Sequence, residues 1–299
     1  MSTQPNDSPS RSVRADQFGD PEKRRVLVER HGPVAVLTLS DDDLNGYSYR
    51  MFRDLDAAVL DARFDPEVQA IVITGAGEHF CAGANIKMLE AADPTSKYYF
   101  CLHANETLLR LEHTPKLVIA AINGHCVGGG FEIALACDLR IARRAGGLVG
   151  LPEISLGVLP GTGGTQRLTR LLGAGKALPL MLSGRTVESE EALELGLVTQ
   201  VIGDAETREV KGKPRRVPTL TRDAFLAQVV ELARGYCTPH RAAMAAGHIK
   251  RAVQSGGELP LESGLALERE LQAKLFASDD AREGLSAFVE KRKAQFSNT

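Results

Sequence analysis

Net charge, long apolar runs, paired cysteines and metal-ligand spacings are what this sequence has least of, and each absence removes a class of function. Its 299 residues include 25% charged side chains but a formal net charge of only −2, so nothing marks a surface for nucleic acid or an anionic membrane. No apolar stretch reaches the roughly 20 residues that span a bilayer. The cysteines, Cys81, Cys101, Cys126, Cys137 and Cys237, are odd in number and lack C-x-x-C spacing, which suits buried free thiols in a reducing compartment. The histidines are scattered without H-x-x-x-H or H-E-x-x-H, so no metal centre is expected. His125, beside a glycine run, reads as a packing or supporting residue. Neither the dinucleotide fingerprint G-x-G-x-x-G nor the phosphate loop G-x-x-x-x-G-K-[ST] occurs.

What is present is a chain long enough for a large core, 43% hydrophobic. Residues 1–25 are polar, without the apolar stretch of a secretory signal, and Asp7, Asp16, Asp20 and Glu22 oppose a mitochondrial presequence. They read as a disordered tail on a cytoplasmic protein. Beyond them, strand-like runs at 34–39, 68–74, 117–122 and 139–142 alternate with helical spacings at 47–63, 93–112 and up to about 136. Strands alternating with helices imply right-handed βαβ crossovers and an α/β class. From about Thr165 the spacing turns helical, over 165–172, 188–194, 222–234, 240–254 and 261–274. Residues 203–220, charged and punctuated by proline (KGKPRRVP), read as a solvated insertion loop rather than an anion patch.

The most informative stretch is Ile119-Ala-Ala-Ile-Asn-Gly-His-Cys-Val-Gly-Gly-Gly-Phe-Glu132. An apolar run breaks at Asn123-Gly124, reaches Gly128, Gly129 and Gly130, and opens a helix with a carboxylate in its first turn. Glycines allow close approach of backbone to a ligand. A helix start presents unpaired N–H groups and the positive end of its dipole. Such a turn can hold a developing oxyanion, cradle a phosphate, or simply pack a helix on a strand, and this segment alone leaves the three open.

Three further stretches join it: Phe80-Cys-Ala-Gly-Ala-Asn-Ile-Lys87, Leu151-Pro-Glu-Ile-Ser-Leu-Gly-Val-Leu-Pro-Gly-Thr-Gly-Gly-Thr-Gln-Arg167, and Asp279-Asp-Ala-Arg-Glu-Gly-Leu-Ser-Ala-Phe-Val-Glu-Lys-Arg-Lys293. Taken together, in this order, they resemble the enoyl-CoA hydratase/isomerase (crotonase) superfamily over residues 26–296. The resemblance implies an α/β fold with a crotonase-like ββα spiral core over 26–202, the insertion at 203–220, and a helical trimerisation region over 221–299. It implies a homotrimer or a dimer of trimers acting on acyl-CoA thioesters, with no cofactor, since coenzyme A is part of the substrate. In that family the F-x-A-G-A-[DN]-[IL] motif and the glycine run each supply an oxyanion amide, here Ala84 and Gly129. Backbone around Ala82, Ala84 and Ile86 would accept the CoA adenine, Asn85 would stand beside it, and Lys87 would approach the phosphates.

Hydratases of this family carry two glutamates, which fall on Glu132 and Glu153. Adding water across a 2-enoyl thioester needs a base for the attacking water and a proton for C2, with the amides stabilising the charge between. Glu153 is expected to activate water and donate the proton, and Glu132 to position the same water; which does more is open. An isomerase keeps only the second carboxylate, whereas a 3-hydroxyacyl-CoA hydrolase keeps similar glutamates. A non-catalytic RNA-binding or scaffold role is the remaining alternative, opposed by the near-neutral charge and both carboxylates. The usual L-N-R-P turn is replaced by Leu-Ser-Asp-Asp-Asp-Leu-Asn-Gly46, which puts part of a phosphate contact in question. The helix around 94–108, with Tyr98, Tyr99, Phe100 and Leu102, is expected either to wall the acyl pocket or to present a plain core face.

Overall fold

The computed structural model describes residues 23–299, so most of the expected tail lies outside the described residues. The chain begins with β1 (Val26–His31), β2 (Val34–Leu39), α1 (Tyr49–Phe64), β3 (Ala70–Gly75) and β4 (His79–Cys81). Next come α2 (Ile86–Ala91), α3 (Pro94–Glu112), β5 (Leu117–Ile122), β6 (His125–Val127), α4 (Gly129–Leu135), β7 (Leu139–Arg143) and β8 (Val149–Gly150). A 3₁₀ turn, Glu153–Leu156, precedes α5 (Gly164–Leu172), α6 (Ala174–Ser183), α7 (Ser189–Leu195) and β9 (Gln200–Ile202). The remainder is β10 (Ala205–Val210), β11 (Lys213–Pro218), α8 (Arg222–Arg234), α9 (Ala243–Gly256), α10 (Leu261–Phe276) and α11 (Asp279–Val289).

These strands build a spiral. A six-stranded sheet has the order β1-β2-β3-β5-β7-β9, parallel apart from the β1–β2 hairpin, and a small parallel sheet has the order β4-β6-β8. Each turn therefore gives one strand to the large sheet and the next to the small one, then a helical return. Asparagines bind successive corners together. Asn123 accepts from Gly75 N (3.0 Å) and donates to Gly77 O (3.0 Å) and His79 O (3.2 Å), while Asn45 donates to Ala76 O (2.9 Å) and His79 O (2.8 Å).

Period-two burial explains why β2 and β3 read as continuous apolar runs: both faces are covered. Leu37, Leu39, Ile71, Ile73 and Ala120 face the interior of the spiral with Phe52, Phe80 and Phe131. Val34, Val36, Val72, Ile119 and Ile141 face Phe225, Val229 and Val230 of α8, which closes the outer face. Helix α1 starts where Ser48 accepts from Met51 N, and it buries Met51, Leu55 and Val59 at helical spacing. Among the described residues no helix is long and apolar enough to cross a membrane.

Two expectations need correction. Residues 203–220 are not a loop: β10 and β11 form an antiparallel hairpin turned by Lys211 and Gly212, both at positive φ (51° and 74°). Both of its faces are largely exposed, so no apolar alternation marked it as strand. Residue 25 does not belong to a free tail either. Arg25 is 8% exposed, its Nη1 lies 2.8 Å from Asp41 Oδ1, and its N–H donates to Asp54 at 2.6 Å. The acidic turn at 41–43 is thus a structural device. Asp41 also accepts from Ser48, and Asp42 accepts from the N–H groups of Leu44 and Gly46.

Candidate active site

Two backbone N–H groups are left free by the way the spiral turns meet. After β4 the chain makes a single parallel bridge between Ala84 and Tyr47, in which Tyr47 N donates to Gly83 O (2.9 Å) and Asn85 N donates to Tyr47 O (3.2 Å). Such a bridge uses the groups flanking Ala84 and turns the N–H of Ala84 itself away. Gly129 opens α4, where the first N–H groups have no partner within the helix. Neither N–H has a hydrogen-bond acceptor among the described residues. Gly128, the residue before α4, adopts φ 56°, ψ −132° and supplies no side-chain cap, so the helix N-terminus stays open. A β-carbon added at Gly83 would lie 3.3 Å from Val127 O and 4.0 Å from Gly128 Cα, which places the Ala84 turn directly against the glycine run.

Two carboxylates adjoin these donors. Glu132 lies in the first turn of α4, fully buried. Its Oε1 accepts from Thr162 N (2.8 Å) and Gly164 N (2.7 Å), and its Oε2 accepts from the Thr162 hydroxyl. Burial pushes its pKa up, and these three hydrogen bonds pull against the rise. Glu153 sits on the 3₁₀ turn after β8. A β-carbon at Gly128 would lie 3.1 Å from its Oε1, and its Oε2 is buried with no hydrogen-bond partner. Burial, then the negative charge of Glu132, raises its pKa to about 7. Lys97 of α3, with Nζ 5.0 Å from the centre of the Phe100 ring, opposes the rise at both glutamates. Among the described residues no group of three His, Cys, Asp or Glu side chains is placed to hold a metal ion.

The structure thus brings Ala84, Gly129, Glu132 and Glu153 into one place. The other expected positions line the turn beside it. Ala82 N donates to Leu44 O (3.0 Å), Asn85 spends its side-chain oxygen capping α2 on Met88 N (3.1 Å), and Ile86 and Lys87 are exposed. The aromatic cluster of α3 divides between core and surface. Tyr98 and Tyr99 are 65% and 62% exposed, and only Phe100 of that cluster turns inward, because one helical face cannot present adjacent residues together. Four contributors escaped the sequence reading: Tyr47, Lys97, Thr162 and Gly164. Thr162 and Gly164 lie inside the quoted Pro-Gly-Thr-Gly-Gly segment, whose glycines were the available signal; Tyr47, next to Asn45-Gly46, had none.

Two free N–H groups flanked by one locked and one titratable carboxylate can serve proton transfer on a substrate whose carbonyl gains negative charge. The chain is similar to known proteins over nearly its whole length. The family model described as enoyl-CoA hydratase/isomerase matches residues 29–299. The short-chain-enoyl-CoA hydratase of Clostridium acetobutylicum is 34% identical over 276 residues, covering 92% of this chain and 98% of that protein. A probable enoyl-CoA hydratase of Rhizobium meliloti is 38% identical, covering 91% and 97%. The enoyl-CoA hydratase structure from Geobacillus kaustophilus superposes with a TM-score of 0.83 at 39% identity, covering 93% of this chain and 98% of that one.

Proposed function

This chain belongs to the enoyl-CoA hydratase/isomerase family, and from that premise we propose that it is an enoyl-CoA hydratase, adding water across the C2=C3 bond of a 2-enoyl-CoA thioester. The observation that carries the reading is the convergence of Glu132 and Glu153 on two free N–H groups, those of Ala84 and Gly129. The thioester oxygen accepts from both amides, each worth roughly 3 kcal/mol to the oxyanion. Water attacks C3 while Glu153 takes one of its protons; the π electrons move onto C2 and the thioester oxygen. Glu153 then gives a proton to C2 as the carbonyl re-forms, so that H and OH are added and the carboxylate is restored. Glu132, held by three donors, keeps a fixed acceptor on the same water.

The roles fit the two environments. A carboxyl near pKa 7 both takes and returns a proton at neutral pH, whereas a carboxylate locked by hydrogen bonds orients. We assign the backbone at Ala82, Ala84 and Ile86, with Asn85 and Lys87, to coenzyme A, which enters as part of the substrate; the redox-neutral reaction calls for no cofactor. We assign the C-terminal helices to a homotrimer or a pair of trimers. Leu261, Phe288 and Val253 are 78%, 84% and 69% exposed in the single chain, an apolar surface that a partner copy would cover. Five unpaired thiols suit a cytoplasmic location.

The test follows the ultraviolet absorbance of crotonyl-CoA, whose conjugated chromophore disappears on hydration. Loss with the wild-type protein, collapsing in Glu132→Gln and Glu153→Gln, is expected. No loss from a folded protein that binds CoA esters would sink the hydratase reading; release of free thiol instead would mark a thioester hydrolase.

A further inference from the structure

One hydroxyl, carried by a buried side chain beside the reacting centre, has no use in the reaction as written so far. Tyr47 is 4% exposed and reaches both halves of the oxyanion pocket, Ala84 through its backbone and Gly129 through its ring. Its backbone brackets Ala84 through the bridge described above, and a β-carbon added at Gly129 would fall on its ring at Cε1. The ring is stacked on Phe100 (centroids 5.5 Å, interplanar angle 4°) and meets Phe52 edge-on at 5.5 Å. Packing on three sides leaves the phenol one orientation.

The hydroxyl makes no hydrogen bond with any described residue, and unlike Glu153 Oε2 it is not shut off from solvent, so a water can reach it. Its surroundings identify the missing partner. Burial first, and then the charge of Glu132, with Cys81 and Glu153 adding less, keep it a neutral phenol and therefore a donor. Glu132 retains spare acceptor capacity on Oε2, and Glu153 Oε2 has no donor. A small molecule with two protons to give and a lone pair to receive completes all three, and water is that molecule.

Resting on the hydratase reading, we propose that Tyr47 is a third anchor for the attacking water: its O–H donates to one lone pair of the water oxygen while Glu132 and Glu153 accept the two protons. The tetrahedral oxygen then has one lone pair left, and it is aimed at C3. Tyr47 is a positioning residue here, acting on the enoyl thioester only through the water, and no bond to Tyr47 forms or breaks.

Tyr47→Phe keeps the ring against Gly129 and removes only the hydroxyl. With crotonyl-CoA, kcat is expected to fall about tenfold, the size of one lost hydrogen bond, with KM little changed. The second reading is binding of acetoacetyl-CoA, followed by the absorbance of its enolate, which reports the oxyanion pocket and needs no water. Its affinity and spectrum in Tyr47→Phe should match wild type, whereas Tyr47→Leu, which loses the ring, should weaken both. Full hydration by Tyr47→Phe overturns the proposal. So does a parallel loss of acetoacetyl-CoA binding in Tyr47→Phe, which would make the hydroxyl a part of the pocket rather than of the water site. A wild-type protein that binds acetoacetyl-CoA but fails to hydrate crotonyl-CoA would instead remove the hydratase reading on which the proposal stands.

Discussion

Glu132 is fully buried on a helix and held by Thr162 N, Gly164 N and the Thr162 hydroxyl, whereas Glu153 sits on a short 3₁₀ turn with one oxygen buried and unpartnered. Burial lifts both carboxyls, but three hydrogen bonds oppose the lift at Glu132, while at Glu153 the charge of Glu132 adds to it. In the proposed reaction the same side chain is a fixed post in one place and a proton carrier in the other. The proposed acid–base division would thus be set by second partners rather than by residue type.

The sharpest way to break the comparison is to neutralise each glutamate in turn. Glu153→Gln is expected to lower crotonyl-CoA hydration about a thousandfold or more, within the range of a positioned acid–base group. Glu132→Gln should lose about a hundredfold. The glutamine carbonyl can keep the two N–H donors, and the Thr162 hydroxyl can turn to accept from the new amide. Equal losses would dissolve the distinction between post and carrier. A milder probe is Thr162→Val, which removes one donor from Glu132 and keeps the shape; steady-state kinetics should show about a tenfold loss.

The smallest expected effect is thermal. The folded pKa of Glu153, about 7, exceeds the usual carboxylate value of 4.5, so the native state binds more protons and stability falls as pH rises through that window. Glu153→Gln should therefore raise Tm at pH 8 by a few degrees and leave it nearly unchanged at pH 4, below both values, measured by calorimetry. A variant less stable than wild type at pH 8 would show that Glu153 is not strained.

Legibility in the sequence followed the same physics. The runs at 34–39 and 117–122 were readable because strands covered on both faces are uniformly apolar, and they match β2 and β5. The glycine run and Glu132 are readable because a helix start rich in glycine with a carboxylate in its first turn is a chemical pattern, whereas Glu153 is readable only through the resemblance of its segment to the family. Strands β4, β6 and β8, of 3, 3 and 2 residues, are too short to carry a period. The β10–β11 hairpin carries charges on exposed faces, so it read as a loop. Tyr47 was invisible because its role comes from contacts with Gly129 and Phe100, 82 and 53 residues away along the chain, which no local pattern encodes. Helix α3 is legible from its spacing, but which of its aromatic residues faces in is not, since aromatic content does not tell which side of a helix is covered.

The most direct test of the division between the two glutamates is the pH dependence of kcat/KM for crotonyl-CoA, which reports the ionisation of the free enzyme. Glu153 must be ionised to take a proton from water, so log kcat/KM should rise with unit slope up to about pH 7 and then level. A profile already flat from pH 5 upward would contradict the account, because the proton carrier would then have an ordinary carboxylate pKa.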